Sequence, residues 1–510
     1  MTIAPERNPP NLASSLVSAP SRVAWGGRLG GPLLALLVYA ALRFGGADLE
    51  PAALATAGVA TLMAVWWMTE ALPLPATALV PLVLFPLTGV MKLDAAAAPY
   101  ANKFIFLFMG GFMLALSLER WQLHRRIALL TVLAVGTRPS LLVAGFMIAT
   151  AGLSMWISNT ATTVMMLPIG MSLVRLLDEQ ETGDSAGPAA VQSSFAVCMM
   201  LGIAYAASIG GIGTLIGTPP NAFFAGFLAE HQMTISFGRW MLLAMPLVIV
   251  MLFATWLLLT RWVFPIRADE LPGGRATIVA ELAKLGRVSR GERIVLTVFV
   301  TTAIAWIVRE PLTHWTWLVE RFPTITSVDD SLIAMLAALV LFMIPVDARA
   351  GVFALDWPTA NRLPWGILLL FGGGLSLAKA IESSRLAEWM GNQVAGLGSM
   401  PGWVVVLAVT LLIIFLTEIT SNLATVTAFL PILFSVAEAA GIDPMLLLLP
   451  ATLAASFAFM LPVATPPNAI VFGSGQVSIG HMVRAGLWLN LTGAILIPLL
   501  VYTLGAWLLK

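Results

Sequence analysis

The sequence predicts an all-α polytopic membrane protein of about eleven spans, built as two inverted repeats with re-entrant helical hairpins and broken transmembrane helices. Three observations predict it. Of 510 residues, 59% are hydrophobic and only 10% charged, with a mean hydropathy of +0.92, a balance that excludes a string of soluble domains. Four apolar segments, 141–176, 193–229, 402–437 and 447–476, are too long for one span of ~20 residues, and each is interrupted near its middle. The interruptions recur at a nearly constant spacing.

Residues 1–30 carry prolines, serines and Arg7, Arg22 and Arg28 but no uninterrupted apolar core, so they read as a cytoplasmic tail and not as a signal peptide. Residues 31–53 supply a first span and loop. Repeat 1 occupies 54–260, with its hairpin at 139–176. A connector over 261–293 carries seven basic residues and reads as cytoplasmic, with anionic-lipid binding as a lesser option. Repeat 2 fills 294–510, with its hairpin at 402–438.

The four interruptions are Ser158-Asn159-Thr160, Thr218-Pro219-Pro220-Asn221, Ser421-Asn422 and Thr465-Pro466-Pro467-Asn468. A helix broken at membrane depth frees backbone groups that lipid cannot satisfy, so such breaks survive only inside protein or beside a watery cavity. A shift of 263 positions carries Ser158-Asn159 onto Ser421-Asn422, Leu167-Pro168-Ile169 onto Leu430-Pro431-Ile432 and Glu119 onto Glu382. T-P-P-N-A at 218–222 recurs at 465–469, an offset of 247, the difference falling in the polar loop 177–192.

If the N-terminus is cytoplasmic and both hairpins leave on the side they entered, 18 of the 27 Lys and Arg fall on the cytoplasmic side, in keeping with the positive-inside bias. The second hairpin then enters from the face opposite to the first. Inverted repeats with discontinuous helices are the pattern of a secondary transporter whose site lies where the copies meet. At each Ser-Asn tip, hydroxyl and amide oxygens and freed carbonyls suit a small hard cation, while the next half-helix opens with unpaired amide donors that suit an anion. Proline suits the opening of a half-helix because its missing N–H would be orphaned there.

The chain resembles the divalent-anion:sodium symporters, which include the sodium-coupled di- and tricarboxylate transporters. The resemblance rests on W-W-M-T-E-A-L-P-L-P-A-T-A at 66–78, S-N-T-A-T-T-V-M-M-L-P-I at 158–169, G-T-P-P-N at 217–221, T-S-N-L-A-T at 420–425 and S-F-A-F-M-L-P-V-A-T-P-P-N-A-I-V-F at 456–472. It implies sodium-coupled uptake of small divalent anions, C4 dicarboxylates (succinate, malate, fumarate) or citrate, by a homodimer with an elevator-type movement in the cell membrane. Carried over residue by residue, it implies a first sodium site at Ser154, Ser158, Asn159 and the Gly217 carbonyl, and a second at Thr417, Ser421, Asn422 and the Ala464 carbonyl. Substrate carboxylates would meet Asn159, Thr160, Thr218, Pro219, Asn422, Leu423, Thr465 and Pro466. Leu423 departs from the second complete Ser-Asn-Thr common among bacterial members.

Sodium is then the coupling ion, and no cofactor is expected. Cys198, the single cysteine, excludes an internal disulfide, and His124, His231, His314 and His481 have no metal-ligand spacing. A net charge of +1 gives no field to recruit nucleic acid. Glu70, Lys103, Glu119, Lys379, Glu382 and Glu418 lie in or near apolar stretches, where structural pairing competes with function. Glu418, three residues before Ser421, is the nearby candidate should coupling be to protons, and exchange without an ion gradient is a further alternative. A membrane-embedded enzyme is a remote one, because the tips and T-P-P-N loops contain no Asp, Glu, His or Cys. The 17 Trp, 25 Phe and 24 Met read as lipid-facing surface, interfacial belt and core.

Overall fold

The computed structural model of the chain describes residues 22–136, 138–181, 194–266, 273–393 and 400–505. Residues 1–21 of the expected 1–30 tail, 182–192 of the polar loop and 267–272 of the connector lie outside the described residues, and residues 22–30 open the first helix instead of extending the tail. Helices α1 (Arg22–Phe44) and α2 (Pro51–Thr69) pack together. The most apolar window of α1 is only 17% buried, which leaves its side chains for lipid. A short proline-opened pair, α3 (Leu74–Thr77) and α4 (Val80–Thr88), leads through α5 (Leu93–Ala97) to α6 (Lys103–Arg120). Asn102 caps α6 by accepting from the Phe104 N–H.

Gln122, in the left-handed region at φ 56, turns the chain into α7 (Leu123–Val135). Hairpin 1 is α8 (Pro139–Ser154) and α9 (Asn159–Glu181), and the broken helix after it is α10 (Ser194–Gly211) and α11 (Pro219–Glu230), followed by α12 (Phe237–Leu257). In the connector, α13 (Gly274–Lys284) packs on α7, where Arg125 meets Glu281 at 2.7 Å. The Lys284 ammonium first, and Arg125 with it, holds the Glu281 carboxyl below the usual carboxylate range. Next come α14 (Arg290–Thr313), α15 (Thr316–Arg321) and α16 (Asp330–Met343). A two-stranded antiparallel ribbon, β1 (Pro345–Asp347) and β2 (Val352–Phe353), then precedes α17 (Trp357–Ala360).

Helix α18 (Trp365–Ser383) is followed by α19 (Leu386–Gln393), hairpin 2 of α20 (Gly402–Thr417) and α21 (Asn422–Ala440), the broken pair α22 (Met445–Ala454) and α23 (Pro466–Gly473), and α24 (Ile479–Leu500). The 263-residue shift carries helix ends onto helix ends: Leu123 onto Leu386, Pro139 onto Gly402, Ser154 onto Thr417 and Asn159 onto Asn422. It also carries Gln122 onto Arg385, which is left-handed too, at φ 61. Non-glycine residues rarely adopt that conformation, so its recurrence marks one inherited bend in both copies.

Nine helices among the described residues are long and apolar enough to cross a membrane. One of them, α21, is a hairpin arm, and the shorter α3–α4, α16 and broken α22–α23 supply three further crossings, which gives the eleven expected. Between the hairpins lie α10–α11, α12, α14, α16 and α18, an odd number of crossings, so the second hairpin enters from the opposite face. Helix α10 is apolar all round and 94% buried over its window, the mark of a helix enclosed by protein. It packs closely on α8: a Cβ at Gly210 would lie 2.3 Å from the Ala151 carbonyl oxygen, so only glycine fits.

Candidate ion and substrate site

At tip 1, α8 stops at Ser154 and α9 begins at Asn159. The Ser154 hydroxyl lies 2.5 Å from Asn159 Oδ1 and 2.7 Å from the Ala207 carbonyl oxygen of α10. One hydroxyl hydrogen faces two acceptors, so the cluster has more lone pairs than donors. Gly211 closes one side: a Cβ there would be 2.6 Å from Asn159 Oδ1 and 3.2 Å from the Gly217 carbonyl oxygen, which places both oxygens against the same glycine. Ser158 is exposed, and its hydroxyl accepts from the Ala161 N–H.

Tip 2 repeats this construction. The Thr417 hydroxyl lies 2.8 Å from Asn422 Oδ1 and 2.9 Å from the Ala455 carbonyl oxygen. Ser421 and Asn422 are half-buried, like Asn159, and Ala464 is buried. The two hydroxyl–amide–carbonyl clusters are therefore the same structure made twice. The carbonyls of Ala207 and Ala455 were illegible in the sequence, since any residue type supplies a carbonyl.

The T-P-P-N loops hold the second pair of breaks open. Asn221 Nδ2 donates toward the carbonyls of Gly211, Ile212 and Thr214 at 2.8–3.2 Å, and Asn468 Nδ2 toward those of Ala458 and Leu461 at 3.1 and 3.0 Å. Each asparagine amide thus takes up carbonyls freed by the break, a role the motif spacing alone did not give. Pro219 and Pro466 open α11 and α23, and the Thr465 hydroxyl accepts from the Asn468 N–H. Thr218 and Thr465 are buried, Pro219 is half-buried, and Thr160 and Pro466 are exposed. Leu423 is only 5% exposed, whereas its counterpart Thr160 stands open. The halves interlock: α23 of repeat 2 packs on α9 of repeat 1, and α11 of repeat 1 on α21 of repeat 2.

Glu418 breaks the symmetry. It is buried, and its carboxylate accepts from the N–H groups of Phe459, Met460 and Leu461 and from Asn490 Nδ2, at 2.7–3.1 Å. It therefore braces the break before α23. Its counterpart is Met155, whose carbonyl oxygen takes the Thr214 hydroxyl instead. Of the other ionisable groups in or near apolar stretches, Lys103 pairs with Asp329, Glu119 with Arg362 and Glu382 with His231, while Glu70 ends α2 in a left-handed turn. Among the described residues no group of three or more His, Cys, Asp or Glu is arranged to hold a metal ion.

The tips also differ in what covers them. Trp156, beside tip 1, stacks on Trp306 of α14 at 6.2 Å and Phe237 at 5.9 Å, with the Phe299 edge at 5.0 Å. At tip 2 the counterpart Ile419 is 67% exposed, and Val463 is 83% exposed where Ile216 of repeat 1 is 5%.

Two copies of a broken-helix unit, interlocked around paired polar tips inside an otherwise apolar all-α chain, define a membrane transporter. Residues 33–510 match the family model described as the sodium:sulfate symporter transmembrane region, and the chain belongs to that family. It is 43% identical over 477 residues to the sodium-dependent dicarboxylate transporter SdcS of Staphylococcus saprophyticus, covering 93% of this chain and 90% of that one. It is 42% identical over 474 residues to the protein of the same name from Staphylococcus aureus strain USA300, covering 92% and 89%. The crystal structure of the Alcanivorax borkumensis YdaH transporter is similar in fold, with a TM-score of 0.54 at 16% identity, over 88% of this chain and 99% of that one.

Proposed function

We propose that this protein is a sodium-coupled secondary transporter of small dianionic carboxylates, succinate, malate and fumarate foremost and citrate next. It works as a homodimer in the cell membrane with its N-terminus cytoplasmic. The observation that carries this reading is the doubled cluster of hydroxyl, amide and carbonyl oxygens, each with more acceptors than hydrogens. A sodium ion relieves that surplus at Ser154, Ser158, Asn159 and Gly217, and a second does so at Thr417, Ser421, Asn422 and Ala464. The names of the relatives point to the same ion and substrate class.

A dianion between two such cations is neutralised without any charged side chain from the protein. Asn159, Thr160, Thr218, Pro219, Asn422, Leu423, Thr465 and Pro466 surround it, and the openings of α9, α11, α21 and α23 direct backbone donors toward its carboxylates. Coupling follows: without the cations the anion loses its counter-charges, and without the anion the cations repel one another. Glu418 does not suit a proton carrier, because N–H donors already occupy both of its oxygens.

The residues 54–260 and 294–510 act as two inverted halves, joined by the 261–293 connector. The aromatic clamp on Trp156 beside tip 1 has no counterpart at tip 2, where Ile419 and Val463 are open, and this asymmetry between the halves supports elevator-type alternating access. Purified protein in liposomes takes up succinate under an inward sodium gradient and far less with potassium or choline; equal uptake in all three overturns the reading.

A further inference from the structure

Where α7, α13 and α14 meet, the carboxylates are already engaged: Glu281 with Arg125 and Lys284, and Glu292 with Arg126 at 2.6 Å. Glu292 also closes the capping box of α14 with Ser289. Arg290 and Arg293 are exposed and form no ion pair with a carboxylate among the described residues. They stand one turn apart on one face of α14, so like charges sit side by side at the positive end of a helix dipole. That arrangement is unfavourable until an anion arrives.

Below them the surface changes character. Arg290 and Arg293 line an open groove of about 370 Å³ whose other walls are Ile294, Thr297, Val298 and Ile344. Positions 290, 294, 297 and 298 share one face of the helix, so the groove leads from the two guanidinium groups along the apolar stretch of α14. This helix is long and apolar enough to cross a membrane, and Arg290 is its first residue, which puts the arginines where headgroups end and acyl chains begin.

We infer that this groove is a binding site for an anionic phospholipid. The guanidinium groups take the phosphate, with the planar fork suited to its oxygens. The first carbons of an acyl chain cover Ile294, Val298 and Ile344. Inorganic phosphate satisfies the arginines but leaves those apolar walls bare, so the lipid is the occupant that matches both parts. The site also has leverage on transport, because α14 carries Trp306 and Phe299, the residues against which Trp156 of tip 1 packs.

The test uses the full-length protein in a neutral detergent, with the thermal unfolding midpoint followed while phosphatidylglycerol, phosphatidylcholine or inorganic phosphate is added. Phosphatidylglycerol raises the midpoint saturably, and the other two leave it unchanged. The Arg290→Gln/Arg293→Gln variant needs about thirtyfold more phosphatidylglycerol for the same shift, on the scale of about 1 kcal/mol per basic residue at a lipid surface. Arg321→Gln, at an exposed arginine on α15, responds as wild type does. Thr297→Trp, which fills the groove and keeps both arginines, also loses the response. An equal shift from phosphate alone, or an unchanged response in both groove variants, overturns the proposal.

Discussion

Tips 1 and 2 place the same oxygens in the same geometry by different means. Tip 1 is held by close packing: Gly211 admits Asn159 against the backbone, Met155 is neutral, and Trp156 is clamped in an aromatic stack. Tip 2 has Ala458 where repeat 1 has Gly211, each offering its carbonyl to the T-P-P-N asparagine. It is braced by the Glu418 carboxylate, and its neighbours Ile419 and Val463 are open. The difference separates what the ion requires, which both copies keep, from what holds each tip in place, which the copies solve separately.

Gly211→Ala costs the most transport. The added methyl would sit 2.6 Å from Asn159 Oδ1, pushing that oxygen out of the first cluster, and sodium-driven succinate uptake falls more than tenfold. The reverse change in the other copy, Ala458→Gly, costs about 1 kcal/mol of stability at most and keeps uptake within a few-fold of wild type. Uptake assays at matched protein in the membrane check both.

Glu418→Gln has the next largest effect. A glutamine presents an amide N–H₂ to a ring of N–H donors, so at least one buried donor loses its acceptor, a loss of about 1–3 kcal/mol. The thermal unfolding midpoint of the purified protein drops accordingly. Met155→Leu, at the matching place in repeat 1, costs under about 1.5 kcal/mol because nothing polar is stranded. Equal shifts in the two variants would mean that Glu418 does not brace the break.

Smaller and more specific is Leu423→Thr, which restores at tip 2 the hydroxyl that Thr160 gives tip 1. One added hydrogen bond is worth about 0.5–1.5 kcal/mol, up to about tenfold in affinity. The ranking of succinate against citrate shifts, measured by competition of labelled uptake. An unchanged ranking assigns position 423 to packing and not to the substrate, in keeping with its 5% exposure.

The breaks, the hairpins and their doubling were legible because polar and proline residues stand out in an apolar chain and recur at a fixed offset. The helices α7 and α19 were not: each is short, and α7 opens with His124, Arg125 and Arg126, so neither registers as an apolar stretch. The left-handed Gln122 and Arg385 carry no sequence signal, since neither is a glycine. Glu418 was visible as a buried charge, but its partners at 459–461 and Asn490 lie more than forty residues away, and only the tertiary structure gives it its role. The Ala207 and Ala455 carbonyls belong to the same category.

If the two tips are two cation sites, purified protein binds sodium in the absence of substrate. The thermal midpoint of purified wild type is followed against sodium chloride at ionic strength held constant with choline. The midpoint rises with sodium; Ser154→Ala and Thr417→Val each lose part of the rise, and the double variant loses all of it. A sodium response unchanged in the double variant would contradict the claim and return both clusters to the packing of their hairpins.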